Sequence, residues 1–281
     1  MHSRPFGPTK RSVSVIGQGT WFIENADRKA AVAALRAGLD AGMTHIDTAE
    51  MYGSGRAEGV IAEALAGRRD EAFIVSKVLP SNASAKGTIA ACENSLKRLK
   101  TDRLDCYLLH WRGNYPLENT VAAFEKLADA GKILSWGVSN FDADDLDELL
   151  AVAGPGRIAC NQVLYHLKER AIDHRVIPWC EKHGVAVVAY SPFGHDSFPS
   201  AASPGGAALA EIAKKKNATA RQVALAFLTR KSNVFAIPKA ADPQHAVENA
   251  GAGNIVLTAD EIAAVDKAFP MGKPPRSLPM I

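Results

Sequence analysis

Eight short apolar runs alternating with amphipathic stretches predict an α/β protein, a (β/α)8 TIM barrel with an N-terminal β-hairpin and an extra C-terminal helix. Two further observations favour that architecture over an open doubly wound sheet. The eight units fill about 250 residues, and no composition break between them marks a linker, so residues 1–281 read as one barrel domain. A chain that is 47% hydrophobic and 22% charged can bury a core of that size.

Before the barrel, "RPFGPTKRSV" holds two extended pieces about a Gly-Pro turn, a hairpin able to plug the barrel bottom. The strands then follow as "SVIGQGT", "THIDTA", "AFIVSKV", "LDCYLLHW", "LSWGVSN", "IACNQVLY", "VAVVAYSP" and "VFAIPK". Between them, helical periodicity runs over 27–41, 88–99, 120–130, 142–151 and 176–183, and several stretches start at Asp or Thr and stop at Gly, as at Gly42, Gly131 and Gly184. Residues 192–206, "PFGHDSFPSAASPGG", have the composition of a long mobile loop over the top face. In "TADEIAAVDKAF", Thr258 and Glu261 have capping-box spacing and open the extra helix. The tail 270–281 is expected to lie extended across the surface.

The formal net charge is only +3 and the single basic run, Lys214 to Lys216, reads as a solvated helix face, so neither nucleic acid nor a membrane is an expected partner. Cys92, Cys106, Cys160 and Cys180 are far apart, without paired spacing or a His ligand pattern, and read as reduced core thiols rather than a disulfide framework or a metal site. The opening "MHSRPFGPTKR" lacks an apolar stretch long enough for a signal peptide, which makes a cytoplasmic protein the expectation.

A barrel of this kind places chemistry at the C-terminal ends of its strands. The polar residues there are Asp47 with Tyr52 in its loop, Lys77, His110 with Trp111, Ser139 and Asn140, Asn161 and Gln162, Tyr190 and Ser191, and Lys239. Each alone has a structural reading: Asp47 and Lys77 as an ion pair, His110 as a satisfied core histidine, Trp111 and Tyr190 as packing, Asn140 and Gln162 as loop caps. Their joint occurrence at successive strand ends argues against those readings, since each buried polar group needs a partner.

Tyr and Lys have ordinary pKa values of about 10 and 10.4 and need help to move protons near neutrality. A Lys ammonium stabilises a neighbouring phenolate, and an Asp keeps that Lys charged. Asp47, Lys77 and Tyr52 can form such a chain, with Tyr52 as general acid and His110 polarising a carbonyl. The set protonates an alkoxide but supplies no electrons, so a hydride donor is implied.

The motifs "GQGTW", "IDTAEMYGSG", "SKV", "LLHW", "WGVSNF", "NQVLYH", "AYSP" and "AIPKA" resemble, in order and over nearly the whole chain, the aldo-keto reductases, and "GQGTW", "LHWRG" and "IPKAA" resemble a bacterial branch that includes methylglyoxal reductases. The resemblance implies Tyr52 as proton donor, with Asp47, Lys77 and His110 completing a tetrad. It also implies Ser139, Asn140 and Gln162 on a nicotinamide carboxamide, Tyr190 stacked on the ring with Ser191 beside it, and Gly19 and Thr20 under the cofactor. Trp21 and Trp111, with the loop from Pro192, would line the substrate pocket beside Tyr52 and His110.

At the adenosine end the resemblance implies Lys239 on a 2′-phosphate and Glu248 and Asn249 on adenine. Ala240 and Ala241 follow the Lys without a hydroxyl, and His245 stands where an Arg is expected, so bidentate phosphate contact is lost. NADPH is the expected cofactor, with NADH possible. The expected function is reduction of small aldehydes and α-dicarbonyls such as methylglyoxal by a monomer or weak oligomer. The alternatives are a broad-specificity or NADH-using aldehyde or sugar reductase, a Schiff-base lyase using Lys77, and a cofactor-binding subunit that turns over little.

Overall fold

Phe6 seals the lower end of a barrel. It follows β1 (Ser3–Pro5), which pairs antiparallel with β2 (Ser12–Ser14) in the expected hairpin, and its ring packs 4.9 Å from Phe73 and 5.1 Å from Phe235. The structure, a computed structural model, describes residues 1–195 and 198–281; Asp196 and Ser197, within the expected loop 192–206, lie outside the described residues.

Among the described residues, eight parallel strands run β3 (Gln18–Gly19), β4 (His45–Asp47), β5 (Phe73–Val78), β6 (Cys106–Leu109), β7 (Trp136–Ser139), β8 (Ile158–Leu164), β9 (Ala186–Tyr190) and β10 (Val234–Ala236), each paired with the next. Parallel bridges Ile16↔Ala236 and Gly19↔Lys239 close the last strand onto the first. The first strand is shorter than its apolar run suggests because Ser14 completes the hairpin and Gly17 meets the neighbouring strand; a Cβ there would stand 2.7 Å from the His45 carbonyl oxygen.

The helices are α1 (Arg28–Asp40), α2 (Arg56–Ala64), α3 (Ala85–Leu99), α4 (Leu117–Asp129), α5 (Ala143–Ala153), α6 (Val176–His183), α7 (Pro204–Lys216), α8 (Ala220–Leu228), α9 (Pro243–Gly251) and α10 (Ala259–Ala268). Asp27 caps α1 and Asp142 forms a full capping box on α5, while α6 has the expected bounds. Ser84 caps α3, which begins at Ala85, three residues before the expected start at 88, and α4 opens after Pro116 without a side-chain cap. Gly42, Gly131 and Gly184 end their helices at φ of 90°, 67° and 67°. Pro204 begins α7, which shortens the expected loop, and the Thr258–Glu261 capping box opens α10 as anticipated.

Alternation along the strands builds the site. In β5, Phe73 and Val75 face the barrel axis with Phe6, Cys106, Cys160 and Phe235, and Ser76 faces outward onto Glu58. Two further residues up, each inward row ends in a polar group. All four cysteines are free and buried. No helix among the described residues is long and apolar enough to cross a membrane.

Candidate active site

Asp47 is the last residue of β4 and Lys77 lies on β5, both on the inward face and almost fully buried. Lys77 Nζ donates to Asp47 Oδ1 at 2.6 Å, to the Thr48 carbonyl at 2.7 Å and to the Tyr52 hydroxyl at 3.2 Å, which uses all three ammonium protons. The other carboxylate oxygen, Asp47 Oδ2, accepts from Gln162 Nε2 at 2.6 Å. His110 follows β6 and meets Tyr52 edge-on, with ring centroids 5.8 Å apart.

Burial and charge act against each other here. In Lys77, burial disfavours the ammonium, but the attraction of Asp47 and Tyr52 overrides it and the pKa moves up. Burial raises the Asp47 pKa against the pull of Lys77 and Gln162. Tyr52 departs from expectation: Lys77 does pull its pKa down, but burial is the larger effect and the net movement is up from the ordinary value. Burial, then Lys77, pushes His110 down to about 2, so its imidazole is neutral.

Asp47, Tyr52 and His110, with Lys77 buried beneath them, form the floor of a cavity of about 270 Å³ that is also lined by Gly19, Thr20, Trp21, Ser139, Asn140 and Gln162. Tyr190, Ser191, Lys239 and Trp111 also stand on its walls. Thr20 Oγ1 donates to the Asp47 carbonyl at 2.8 Å and so ties the first loop to β4. Tyr190 donates to Asn140 Oδ1 at 2.9 Å, and Asn140 Nδ2 donates to the His110 carbonyl at 3.1 Å. Asn161 faces the other way and pairs with the Phe141 backbone.

His245, Glu248 and Asn249 lie on α9, outside the cavity lining. Asp242 caps that helix by accepting from the Gln244 and His245 amides, and Glu248 accepts from Thr219 Oγ1 at 2.8 Å. Sequence reasoning missed Met51 and Ile237 as cavity residues; in the loop from Pro192, Pro192, Phe193 and Gly194 line the cavity and His195 stacks on Trp21 at 6.1 Å. The tail does not simply cross the surface; its last residue, Ile281, lines the cavity together with Tyr190. The apolar ending "LPMI" after a Pro-rich stretch was the available signal.

A model of the aldo/keto reductase family matches residues 15–269. The chain belongs to that family, and with it to the NAD(P)H-dependent oxidoreductases. It is 47% identical over 272 residues to methylglyoxal reductase YeaE of Escherichia coli, covering 96% of both chains. To glyoxal reductase of Bacillus subtilis it is 33% identical over 250 residues, 89% of this chain and 87% of the relative. An aldo/keto reductase from Klebsiella pneumoniae, solved in complex with NADP and acetate, superposes with a TM-score of 0.92 at 43% identity over the full length of both chains. This aldo/keto reductase thus has its polar strand-end ring inside a fold shared along the whole chain.

Proposed function

We propose that this aldo/keto reductase uses NADPH to reduce small aldehydes and α-dicarbonyls, methylglyoxal among them, with Tyr52 as the proton donor. The observation that carries the reading is Lys77 Nζ bridging Asp47 and the Tyr52 hydroxyl just beneath the floor of an open cavity. Because burial holds the phenol protonated, Tyr52 keeps its proton until a carbonyl oxygen beside it gains negative charge. Lys77, fixed as an ammonium by Asp47, then stabilises the phenolate left behind.

His110 contributes a neutral donor. Its Nδ1 is buried without a partner, and an unpaired lone pair there costs less than an unpaired N–H, so the proton belongs on Nε2. From Nε2 it orients and polarises the substrate oxygen. The same electrostatics disfavour a Schiff-base lyase, since an ammonium has no lone pair for attack on a carbonyl.

Two features support a nicotinamide cofactor among these residues. Asn140 at φ +60° and Ser191 at φ +47° are non-glycine residues in the left-handed region, and both line the cavity, as strained residues at ligand clamps commonly do. Ser139, Gln162 and Tyr190 would hold the nicotinamide end and Lys239 the phosphate end. When bound, the reduced cofactor supplies the hydride. NADPH is favoured by Lys239 and by the NADP bound to the Klebsiella relative; methylglyoxal and glyoxal are the substrates in the names of the two bacterial relatives.

The Tyr52→Phe variant tests the mechanism. With NADPH saturating, kcat for methylglyoxal is expected to fall about a hundredfold or more, with cofactor affinity retained. Aldehyde reduction at the parent rate would overturn the assignment, and the same panel run with NADH measures cofactor preference.

A further inference from the structure

The loop that carries Tyr52 has an unusual backbone. Gly53, Ser54 and Gly55 follow it at φ of 56°, 54° and 86°, three consecutive residues in the left-handed region. Ser54 pays about 1 kcal/mol or more for that conformation. Little within the turn compensates: Ser54 N–H donates to the Met51 carbonyl at 3.1 Å and Arg56 Nε to the Gly53 carbonyl at 3.0 Å. The turn is instead gripped from outside on two sides.

On one side is Glu24, in a short helical turn (Ile23–Asn25) of the loop that follows β3. A methyl group placed on Gly53 would stand 2.5 Å from Glu24 Cγ and 2.6 Å from Cδ, so the side chain lies directly on the Gly53 backbone. Glu24 Oε2 is sealed from solvent with no hydrogen-bond partner. A carboxylate oxygen in that state contributes shape rather than an ion pair. On the other side, a methyl on Gly55 would stand 2.4 Å from Arg98 Nε, and Arg98 is fixed by Glu58 at 2.5 Å and Ser95 at 3.0 Å.

The grip bears on chemistry because the contact it protects is the longest of the three that Lys77 makes. Lys77 reaches Asp47 at 2.6 Å but Tyr52 only at 3.2 Å, so a small outward movement of the turn breaks the second bond and leaves the first. We propose that Glu24 is a positioning residue, pressing on Gly53 to hold the Tyr52 hydroxyl within reach of Lys77, with Arg98 as the opposing jaw. Its contribution is packing, not charge. The inference rests on Tyr52 being the proton donor, which the Tyr52→Phe variant tests separately.

The experiment compares Glu24→Ala, Glu24→Gln and Gly53→Ala in the full-length enzyme with methylglyoxal and NADPH. Glu24→Ala is expected to lower kcat about tenfold or more while KM for NADPH stays within about twofold. Losing the Lys77 contact removes the influence that pulls the Tyr52 pKa down, so the alkaline limb of the kcat profile moves to higher pH; a merely structural role would leave it in place. Glu24→Gln keeps the shape and is expected to retain parental kcat and limb. Gly53→Ala is expected to cost less in the Glu24→Ala background than alone, since the two changes relieve one overlap. An unshifted limb and kcat within twofold for Glu24→Ala, an equal loss in Glu24→Gln, or additive costs in the double variant would each overturn the proposal. If Tyr52→Phe is fully active while these variants lose activity, the proton-donor reading fails instead.

Discussion

Gln162 Nε2 donates its 2.6 Å bond to Asp47 Oδ2, leaving its carbonyl oxygen for whatever enters the cavity. One side chain therefore faces both the buried ion pair and the ligand space. Gln162→Leu leaves a nearly fully buried carboxylate oxygen unpaired, and a loss of about 1–3 kcal/mol is expected from urea unfolding. Asp47, Lys77, His110 and Gln162 were legible in the sequence because each is the polar residue that ends an inward apolar row. Tyr52 was legible by its place in the loop after Asp47. Glu24 and Met51 were not, because nothing local in the sequence marks them. The sign of the Tyr52 shift was also hidden, since it depends on how deeply the ring is buried and not on which residues are near in sequence.

The hairpin of β1 and β2 is a separate element that the barrel needs. Gly7, just after Phe6, has a φ of 54° and approaches the Ala159 carbonyl so closely that a Cβ would stand 2.1 Å from the oxygen. That approach lets the Phe6 ring enter the space among Phe73, Phe235 and His45. Phe6→Ala opens a cavity in a sealed layer, and a cost of about 3–5 kcal/mol is expected from the denaturant midpoint. The Gly-Pro turn and its flanking extended pieces announced this element. Its boundary with the first barrel strand was not legible, because one apolar run supplies both Ser14 to the hairpin and Ile16 to the closing bridge. Helix α4 shows the same limit: its start after Pro116 lacks a capping side chain, so only apolar periodicity marked it.

Across the whole molecule, two histidines tie stability to acidity. His45, with both ring nitrogens unpartnered against Phe6 and Phe73, is pushed down to about 3 by burial and then by Lys77, and His110 to about 2. Both imidazoles stay neutral in the folded chain, whereas an unfolded chain protonates them below about pH 6.5. The unfolded state thus binds more protons as pH falls. The stability from these groups is complete above about 6.5 and is lost toward pH 3 at about 1.4 kcal/mol per pH unit for each histidine. His45→Phe removes one of the two, so between about pH 7 and pH 5 the variant is expected to lose about 2 kcal/mol less stability than the parent by urea unfolding. An equal loss in both proteins would refute the assignment.

The buried cysteines have a chemical consequence of their own. An enzyme that handles reactive dicarbonyls is bathed in electrophiles that add to thiolates, and thiolate is the attacking form of cysteine. Cys92, Cys106, Cys160 and Cys180 are all sealed from solvent, and burial pushes Cys92 up to about 12 and raises Cys160 and Cys180 as well. Lys77, buried just beneath the cavity, is held as an ammonium by Asp47. The packing that builds the barrel thereby leaves its four thiols out of reach of the compounds proposed to be its substrates.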